Sequence, residues 1–451
     1  MDALREGVAE AITALGSGFV AQGANQTLRT RLQSGELSTQ AYYQQLRRLV
    51  YRLIFLFVAE ERDLLLLPDV TPETRRRYDA YYSLRRVREL AGAVRGSPHS
   101  DLYCQVRLLF ALLREGYAGL GVPGLGSFLF SARATPDLDA AELTNQALLT
   151  AIRALSLTVE NGVRRPVDYR NLDSEELGSI YESLLELHPA VNLAARTFAL
   201  TLGAGSERKT TGSHYTPTPL VENLLDTALE PVVAQRLAQA DDLWRKGGDR
   251  SHAAQQALHV AALLSIKVLD GAAGSGHMLI GAGRRLASHL ARIRTGDAEP
   301  SPADLRAAMR DVVRHCLYGV DINDMAVELC KVALWMETME PGKPLSFLDA
   351  HIQCGNSLIG VTPGLDIAEI PDDAFQPVTG DDRTTATGLR KRNKKAREGQ
   401  MAFALGDAAP AGSTERHADK RAAMLAAIED LAEDGVAQVA AKARSYAEYL
   451  Q

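Results

Sequence analysis

The chain has 451 residues, a formal net charge of −6, 46% hydrophobic and 24% charged residues. This composition is typical of a globular protein with two or three domains, and it excludes a generally basic nucleic-acid coat. The most apolar run, Leu53–Ala59, is far shorter than the roughly 20 residues that a membrane span requires. The cysteines show neither a CxxC pair nor zinc-ligand spacing, so we expect a reduced, soluble, cytoplasmic protein without a metal site.

Residues 1–200 are predicted to form an all-α domain. Apolar residues recur every three or four positions through Tyr42–Leu67, which is the pattern of a core helix. The acidic run that ends it, beginning at Glu60 and Glu61, is predicted to be structural, since adjacent helical residues point about 100° apart. Further helices are expected at Tyr78–Arg95, Leu102–Tyr117, Ala140–Leu157 and Ser174–Leu187.

Residues 201–365 are predicted to form an α/β domain. A polar loop, Thr201–Ser213, and the segment HYTPTP at His214–Pro219 lead into a helix. From Ile266 onward strands alternate with helices, which implies a parallel sheet. The predicted strands lie at 266–270, Leu317–Ile322 and Ile352–Ile359.

Residues 366–451 are predicted to be a polar linker with a helical tail. The run RKRNKKAR, Arg390–Arg397, is expected to be a solvated part of that linker. A phosphate-contacting loop is the alternative for this run.

The segment Ile266–Gly283, IKVLDGAAGSGHMLIGAG, combines a predicted buried strand, an acidic residue, a glycine-rich turn and a helix that opens near His277. Such a turn brings backbone N–H groups and a helix N-terminus to the carboxyl edge of a sheet, where α/β proteins bind nucleotide-like ligands. A P-loop is discounted because no lysine follows Gly276. The glycine order GxxGxG also differs from the dinucleotide pattern GxGxxG, which leaves the adenosyl group of S-adenosylmethionine as the favoured ligand.

Two later segments carry the polar groups that an adenosyl ligand requires. LYGVDIN places Asp321 near the end of the second strand, where a carboxylate can accept hydrogen bonds from both ribose hydroxyls. Asp321 could instead cap the following helix, although Asn323 is the better N-cap. CGNSLIG places Asn356 where its amide can donate to and accept from an adenine edge.

Four ordered segments, GSHYTPTPLVENLL, DGAAGSGHML, YGVDINDMAVELCKVALW and CGNSLIG, resemble the motifs of gamma-class N6-adenine DNA methyltransferases. The resemblance is strongest to the large methylases of type IIG restriction–modification and related phage-defence systems. It covers most of the chain from about Tyr42 to Val361. It implies a Rossmann-like S-adenosylmethionine-dependent methyltransferase core with an incomplete parallel sheet, preceded by the all-α domain.

The same resemblance implies which residues bind S-adenosylmethionine. Two residues, Tyr215 and Thr216, would close over the donor. The methionine part would be held by Asp270, Ala272, Gly274 and Gly276. Asp321 and Ile322 would bind the ribose and adenine, and Asn356 would contact the adenine edge.

Three positions depart from the family pattern. Gly271 stands where proline is usual and Ala273 where cysteine is usual, and both are small enough for the turn to survive. Asn356 stands where many members have aspartate, and its amide keeps an acceptor and adds a donor.

The catalytic motif of the family is Asn/Asp/Ser-Pro-Pro-aromatic, which holds the flipped adenine. This sequence contains no Pro-Pro dipeptide, so no catalytic residue is assigned. We expect the front part of an adenine-specific DNA methyltransferase that acts on double-stranded DNA, with restriction or defence subunits as possible partners. The alternative is a non-catalytic cofactor- or DNA-binding subunit whose partner carries the catalytic motif.

Overall fold

The computed structural model describes residues 2–160, 163–172, 187–202, 216–359, 372–377, 382–397 and 423–450. The predictions for Tyr215, for Ser174–Leu187 except its last residue, and for most of Thr201–Ser213 therefore lie outside the described residues. The chain divides into two compact units, one comprising 1–357 with 432–443 and the other 358–431 with 444–451. Within the described ranges, no helix is both long enough and apolar enough to cross a membrane.

A long buried helix forms the centre of the N-terminal part of the first unit. The predicted core helix is confirmed, because α3 runs from Thr39 to Glu61 and almost every side chain from Tyr42 to Glu60 is buried. Even Arg52 is fully buried in α3, and its guanidinium donates to the carbonyl oxygens of Leu129 at 2.7 Å and Ser131 at 2.9 Å. Among the described residues, the α-helices of this part are α1 (Asp2–Ala21), α2 (Gln26–Ser34), α3 (Thr39–Glu61), α4 (Pro72–Tyr81), α5 (Leu84–Ala93), α6 (Asp101–Glu115), α7 (Pro136–Asp139) and α8 (Asn145–Ser156), with short 3-10 helices at Ala118–Leu120 and Phe128–Phe130.

The predicted helix at Tyr78–Arg95 is in fact two helices, α4 and α5. Ser83 has an extended backbone and its hydroxyl caps α5, so the chain turns before Leu84. The buried Glu60 carboxylate accepts the N–H of Leu84 at 2.8 Å and the hydroxyl of Tyr78 at 2.7 Å. The structural interpretation of the acidic run is thus confirmed at Glu60.

The expectation of an all-α domain is wrong, because two antiparallel hairpins follow α8. Strand β1 (Leu157–Glu160) pairs with β2 (Val163–Pro166), and β3 (Leu187–Asn192) pairs with β4 (Thr197–Leu202). In the sequence, Asn161-Gly162 stands between β1 and β2, and this dipeptide strongly favours a two-residue hairpin connection.

The α/β part of the first unit has the predicted alternation of strands and helices. In the described residues, three strands form a parallel sheet in the order β5-β6-β7. The third strand ends at Cys354, five residues earlier than predicted. The elements are α9 (Thr218–Leu224), a π-helical turn (Leu225–Leu229), α10 (Glu230–Lys246), α11 (His252–Leu264), β5 (Val268–Asp270), α12 (His277–Thr295), α13 (Pro302–His315), β6 (Leu317–Asp321), α14 (Asp324–Thr338) and β7 (Ile352–Cys354).

Strand β5 was expected to be buried, and this expectation is wrong for Leu269, which is 68% exposed. Among the described strands β5 pairs only with β6, so it lies at the edge of the sheet. Successive side chains of a strand point to opposite faces. Val268 is therefore half-buried on one face, while Leu269 projects from the other.

The described residues of the C-terminal region include a 3-10 helix (Asp372–Phe375), α15 (Arg383–Arg397) and α16 (Val436–Tyr449). The basic run Arg390–Arg397 was expected to be a linker or a loop. It instead forms the second half of α15.

Candidate functional site

Three segments that are distant in sequence meet at the carboxyl edge of the parallel sheet. The N–H of Gly355, just after β7, donates to the carbonyl oxygen of Asp321 at the end of β6, at 2.9 Å. Ser357 lies against Gly271 in the turn after β5, since a Cβ on Gly271 would be 3.2 Å from the Ser357 hydroxyl oxygen. The glycine-rich turn, the end of β6 and the turn after β7 therefore form one site.

The glycine-rich turn requires glycine at two positions. Gly274 and Gly276 have φ values of +52° and +87°, a conformation that residues with a Cβ rarely adopt. A Cβ on Gly276 would in addition lie 2.7 Å from the sulfur of the fully buried Cys330. The turn is attached to β6 by the N–H of Ala273, which donates to the carbonyl oxygen of Val320 at 3.0 Å.

Asp321 cross-links the turn to the end of β6. One carboxylate oxygen accepts the N–H of Gly274 at 2.8 Å, and the other accepts the N–H of Asn323 at 2.8 Å. A carboxylate has about four acceptor positions, so each oxygen can still accept a hydrogen bond from a ligand. Asn323 is confirmed as the N-cap of α14, since its side chain accepts the N–H of Met325 at 3.0 Å.

Asp270 adds a second carboxylate at the same edge. Its side chain accepts the N–H of Ala272 at 3.0 Å. Burial, and to a smaller degree the charge of Asp321, raises the pKa of the Asp270 carboxyl above its ordinary value. The carboxyl groups of Asp270 and Asp321 therefore lie close enough at this edge to influence each other.

A groove of about 570 Å³ runs beside β5 and reaches the glycine-rich turn. Three of the predicted site residues line it, namely Thr216, Asp270 and Ala272. Two others lie on the β6–β7 side of the turn, where Ile322 is 64% exposed and Asn356 is also exposed.

Cys330 and Ser357 were not identified from the sequence as parts of this site. Cys330 lies on α14 beneath the turn, and Ser357 directly follows Asn356. The only sequence signal for Cys330 is that it is a small residue on the helix after β6. The signal for Ser357 is that it is adjacent to Asn356. Within the part of the chain that the structure describes, no cluster of three histidine, cysteine or acidic side chains could hold a metal ion.

The similarity of this chain to known proteins is to restriction–modification enzymes. A protein of Methanocaldococcus jannaschii, named as a type II restriction enzyme and methyltransferase, is 28% identical over 213 residues, which are 42% of this chain and 17% of that protein. The solved structure of the type IIL restriction–modification enzyme MmeI in complex with DNA matches 75% of this chain and 40% of its own, at 15% identity and a TM-score of 0.45. This chain thus spans less than a fifth of the first relative and two fifths of the second. No family model matches the sequence.

Proposed function

We propose that this chain is the S-adenosylmethionine-binding part of an adenine-specific DNA methyltransferase from a restriction–modification or phage-defence system. The single observation that carries the proposal is the convergence of the glycine-rich turn, Asp321 and the Cys354–Ser357 turn at one edge of a parallel sheet. The similarity to a restriction–modification protein with a methyltransferase name supports the same function. We assign the cofactor-binding core, with a Rossmann-like arrangement, to residues 201–365.

The residues at this edge fit S-adenosylmethionine. The groove of about 570 Å³ lies within the range of about 300–1,000 Å³ that is usual for small-molecule sites. The turn has no Cβ at Gly274, where a Cβ would meet no heavy atom of the described residues within 4 Å, so a ligand can approach the backbone closely there. Asp321 would accept the ribose hydroxyls, and Asn356 would meet the adenine edge. Tyr215 and Thr216 would close over the donor, with Ile322 beside the adenine.

S-adenosylmethionine would supply an electrophilic methyl group on a sulfonium ion. The contribution of this chain is to hold the donor in a fixed orientation, because in-line methyl transfer depends on alignment and on stabilisation of changing charge. Asp270 and Asp321 carry negative charge toward this edge, which favours binding of a cationic donor.

Calorimetric titration with S-adenosylmethionine tests the proposal. Asp321→Ala removes the predicted ribose acceptor, and we expect the affinity to fall by one or two orders of magnitude, at about 1.4 kcal/mol each. Asp324→Ala is the matched control, since this exposed carboxylate follows closely and accepts from Gln44 at 3.1 Å. An unchanged affinity in Asp321→Ala, or an equal loss in both variants, would remove Asp321 from the site.

A second function is favoured by an exposed apolar side chain on one face of the sheet. Parallel strands are usually covered on both faces, yet Leu269 on β5 is 68% exposed beside the groove. This exposure suits a subunit whose sheet face is covered by a partner, and that partner would carry the catalytic motif. Incorporation of labelled methyl groups into DNA by the isolated chain would contradict this alternative.

A further inference from the structure

We propose that helix α15 binds the phosphate backbone of DNA. The inference rests on the proposed function for the identity of the polyanion, and it goes further by naming the surface that makes the contact. The sequence prediction for this run favoured a solvated linker. The structure changes that expectation because the run belongs to a helix that is capped at its first turn and that has exposed lysine and arginine side chains.

The charge of α15 differs sharply from that of the rest of the chain. Its sequence, RTTATGLRKRNKKAR, has seven lysine or arginine residues and no acidic residue. The whole chain has a net charge of −6, so removing this helix with its +7 leaves −13 for the remainder. A polyanion that binds this acidic protein therefore requires a local concentration of positive charge, and α15 provides one.

The helix is stabilised at its first turn. The Asp382 carboxylate accepts the N–H of Thr384 at 3.0 Å and the N–H of Thr385 at 3.2 Å. An acidic cap satisfies the unpaired N–H groups there and interacts favourably with the helix dipole. The cations that follow are consequently held on a regular helix.

The cationic side chains are displayed toward solvent. Arg383, Arg390, Lys391, Arg392 and Lys394 are all exposed. At 3.6 residues per turn, positions 383, 390 and 394 lie on one side of the helix and span about 16 Å along its axis. Double-stranded DNA carries one negative charge per roughly 1.7 Å of its axis, so a line of this length can face several phosphates.

The composition of α15 favours nucleic acid over a membrane surface. A helix that lies in a membrane interface needs a broad apolar face with large side chains. The apolar residues of α15 are two alanines and Leu389, which is 46% exposed. The phosphate backbone of nucleic acid can pair with the positive charge of α15 without burial of an apolar helix face.

The test compares two triple variants that remove equal charge. The first carries Arg383→Gln, Arg390→Gln and Lys394→Gln, the three cations on one side of α15, of which Arg390 pairs with Asp373. The control carries glutamine at Arg75, Arg76 and Arg77, the basic run of α4, where Arg75 pairs with Asp63 and Arg77 with Glu73. Glutamine is a good helix former, so both helices should persist.

Binding to a 30-base-pair duplex is measured by fluorescence anisotropy at several salt concentrations. Each phosphate contact contributes about 0.9 to the slope of log K against log salt, so we expect the α15 variant to reduce the slope by roughly 2 to 3. The α4 control should leave it nearly unchanged. The inference is overturned by equal slopes in the two variants, by absence of DNA binding in the wild type, or by loss of binding to phosphatidylserine vesicles with DNA binding intact.

Calorimetry with S-adenosylmethionine separates this inference from the proposed function. We expect both triple variants to bind the cofactor like the wild type. A wild type that binds no cofactor but shows the slope difference would refute the methyltransferase and keep the DNA surface. Equal slopes with normal cofactor binding would refute only the DNA surface.

Discussion

Replacing Gly276 by alanine perturbs the glycine-rich turn in two separable ways. The backbone has φ +87°, and holding alanine in the left-handed region costs about 1–2 kcal/mol. The new Cβ would also lie 2.7 Å from the sulfur of buried Cys330, and overpacking of this kind costs about 1–3 kcal/mol. We therefore expect Gly276→Ala to lower the free energy of unfolding by about 2–5 kcal/mol in total.

Gly274→Ala is the matched control because it should lose only the free energy of holding alanine in the left-handed backbone conformation. Its φ is +52°, and among the described residues a Cβ there would meet no heavy atom within 4 Å. We expect this variant to lose about 1–2 kcal/mol. The double variant Gly276→Ala with Cys330→Ala should recover most of the packing cost while keeping the backbone cost.

Urea unfolding followed by tryptophan fluorescence measures these differences. Trp335 is buried on the same helix as Cys330, and its indole N–H donates to the Ser346 carbonyl at 2.9 Å, so it reports on this region. Equal costs for alanine at Gly276 and Gly274 would refute the clash. A double variant that loses the sum of the two single costs would refute it as well, because the clash requires the sulfur.

Three further variants test the electrostatics of the first unit. The pKa of the Asp270 carboxyl is higher in the folded protein than its value of about 3.9 in the unfolded chain. The neutral carboxyl therefore stabilises the folded state fully below that unfolded-state pKa, and this contribution is lost as the pH rises through the folded-state pKa. Asp270→Asn should therefore raise the melting temperature at pH 7, with a gain that shrinks toward pH 4; a lower melting temperature at pH 7 would contradict this reasoning. Arg48→Gln should cost about 1.5–3 kcal/mol, since the mostly buried Arg48 donates to Glu328 at 3.0 Å. Arg284→Gln should cost less than about 1 kcal/mol by the same urea assay, because the Arg284 side chain is 52% exposed; similar costs would mean that burial does not set the strength of these pairs.

Much of the candidate site was predictable because its signals are local. Gly274 and Gly276 have positive φ values in the structure, a backbone conformation for which glycine is the usual residue. Asn323 was predicted as an N-cap from its position before a helix, and its side chain caps α14. The proposed binding roles of Asp321 and Asn356 remain predictions, although the structure places both residues at the same edge.

Several features were missed because they depend on context beyond a single periodic segment. The helix expected at Tyr78–Arg95 is interrupted at Ser83, whose capping role was outweighed by apolar periodicity on both sides. The β1–β2 hairpin was missed although Asn161-Gly162 is a strong local signal. The exposure of Leu269 could not be read from its hydrophobicity, because exposure depends on which strands and helices lie beside β5.

The sequence by itself determined the order of strands and helices around the glycine-rich turn, and the glycines that its left-handed backbone conformation requires. These properties follow from backbone conformation and from side-chain periodicity, which act over a few residues. Only the tertiary structure decided that Asp321 accepts the N–H of Gly274, that Cys330 excludes a side chain at Gly276, and that Ser357 occupies the space beside Gly271. Such contacts join segments tens of residues apart, and parallel pairing of β5, β6 and β7 is what brings them together.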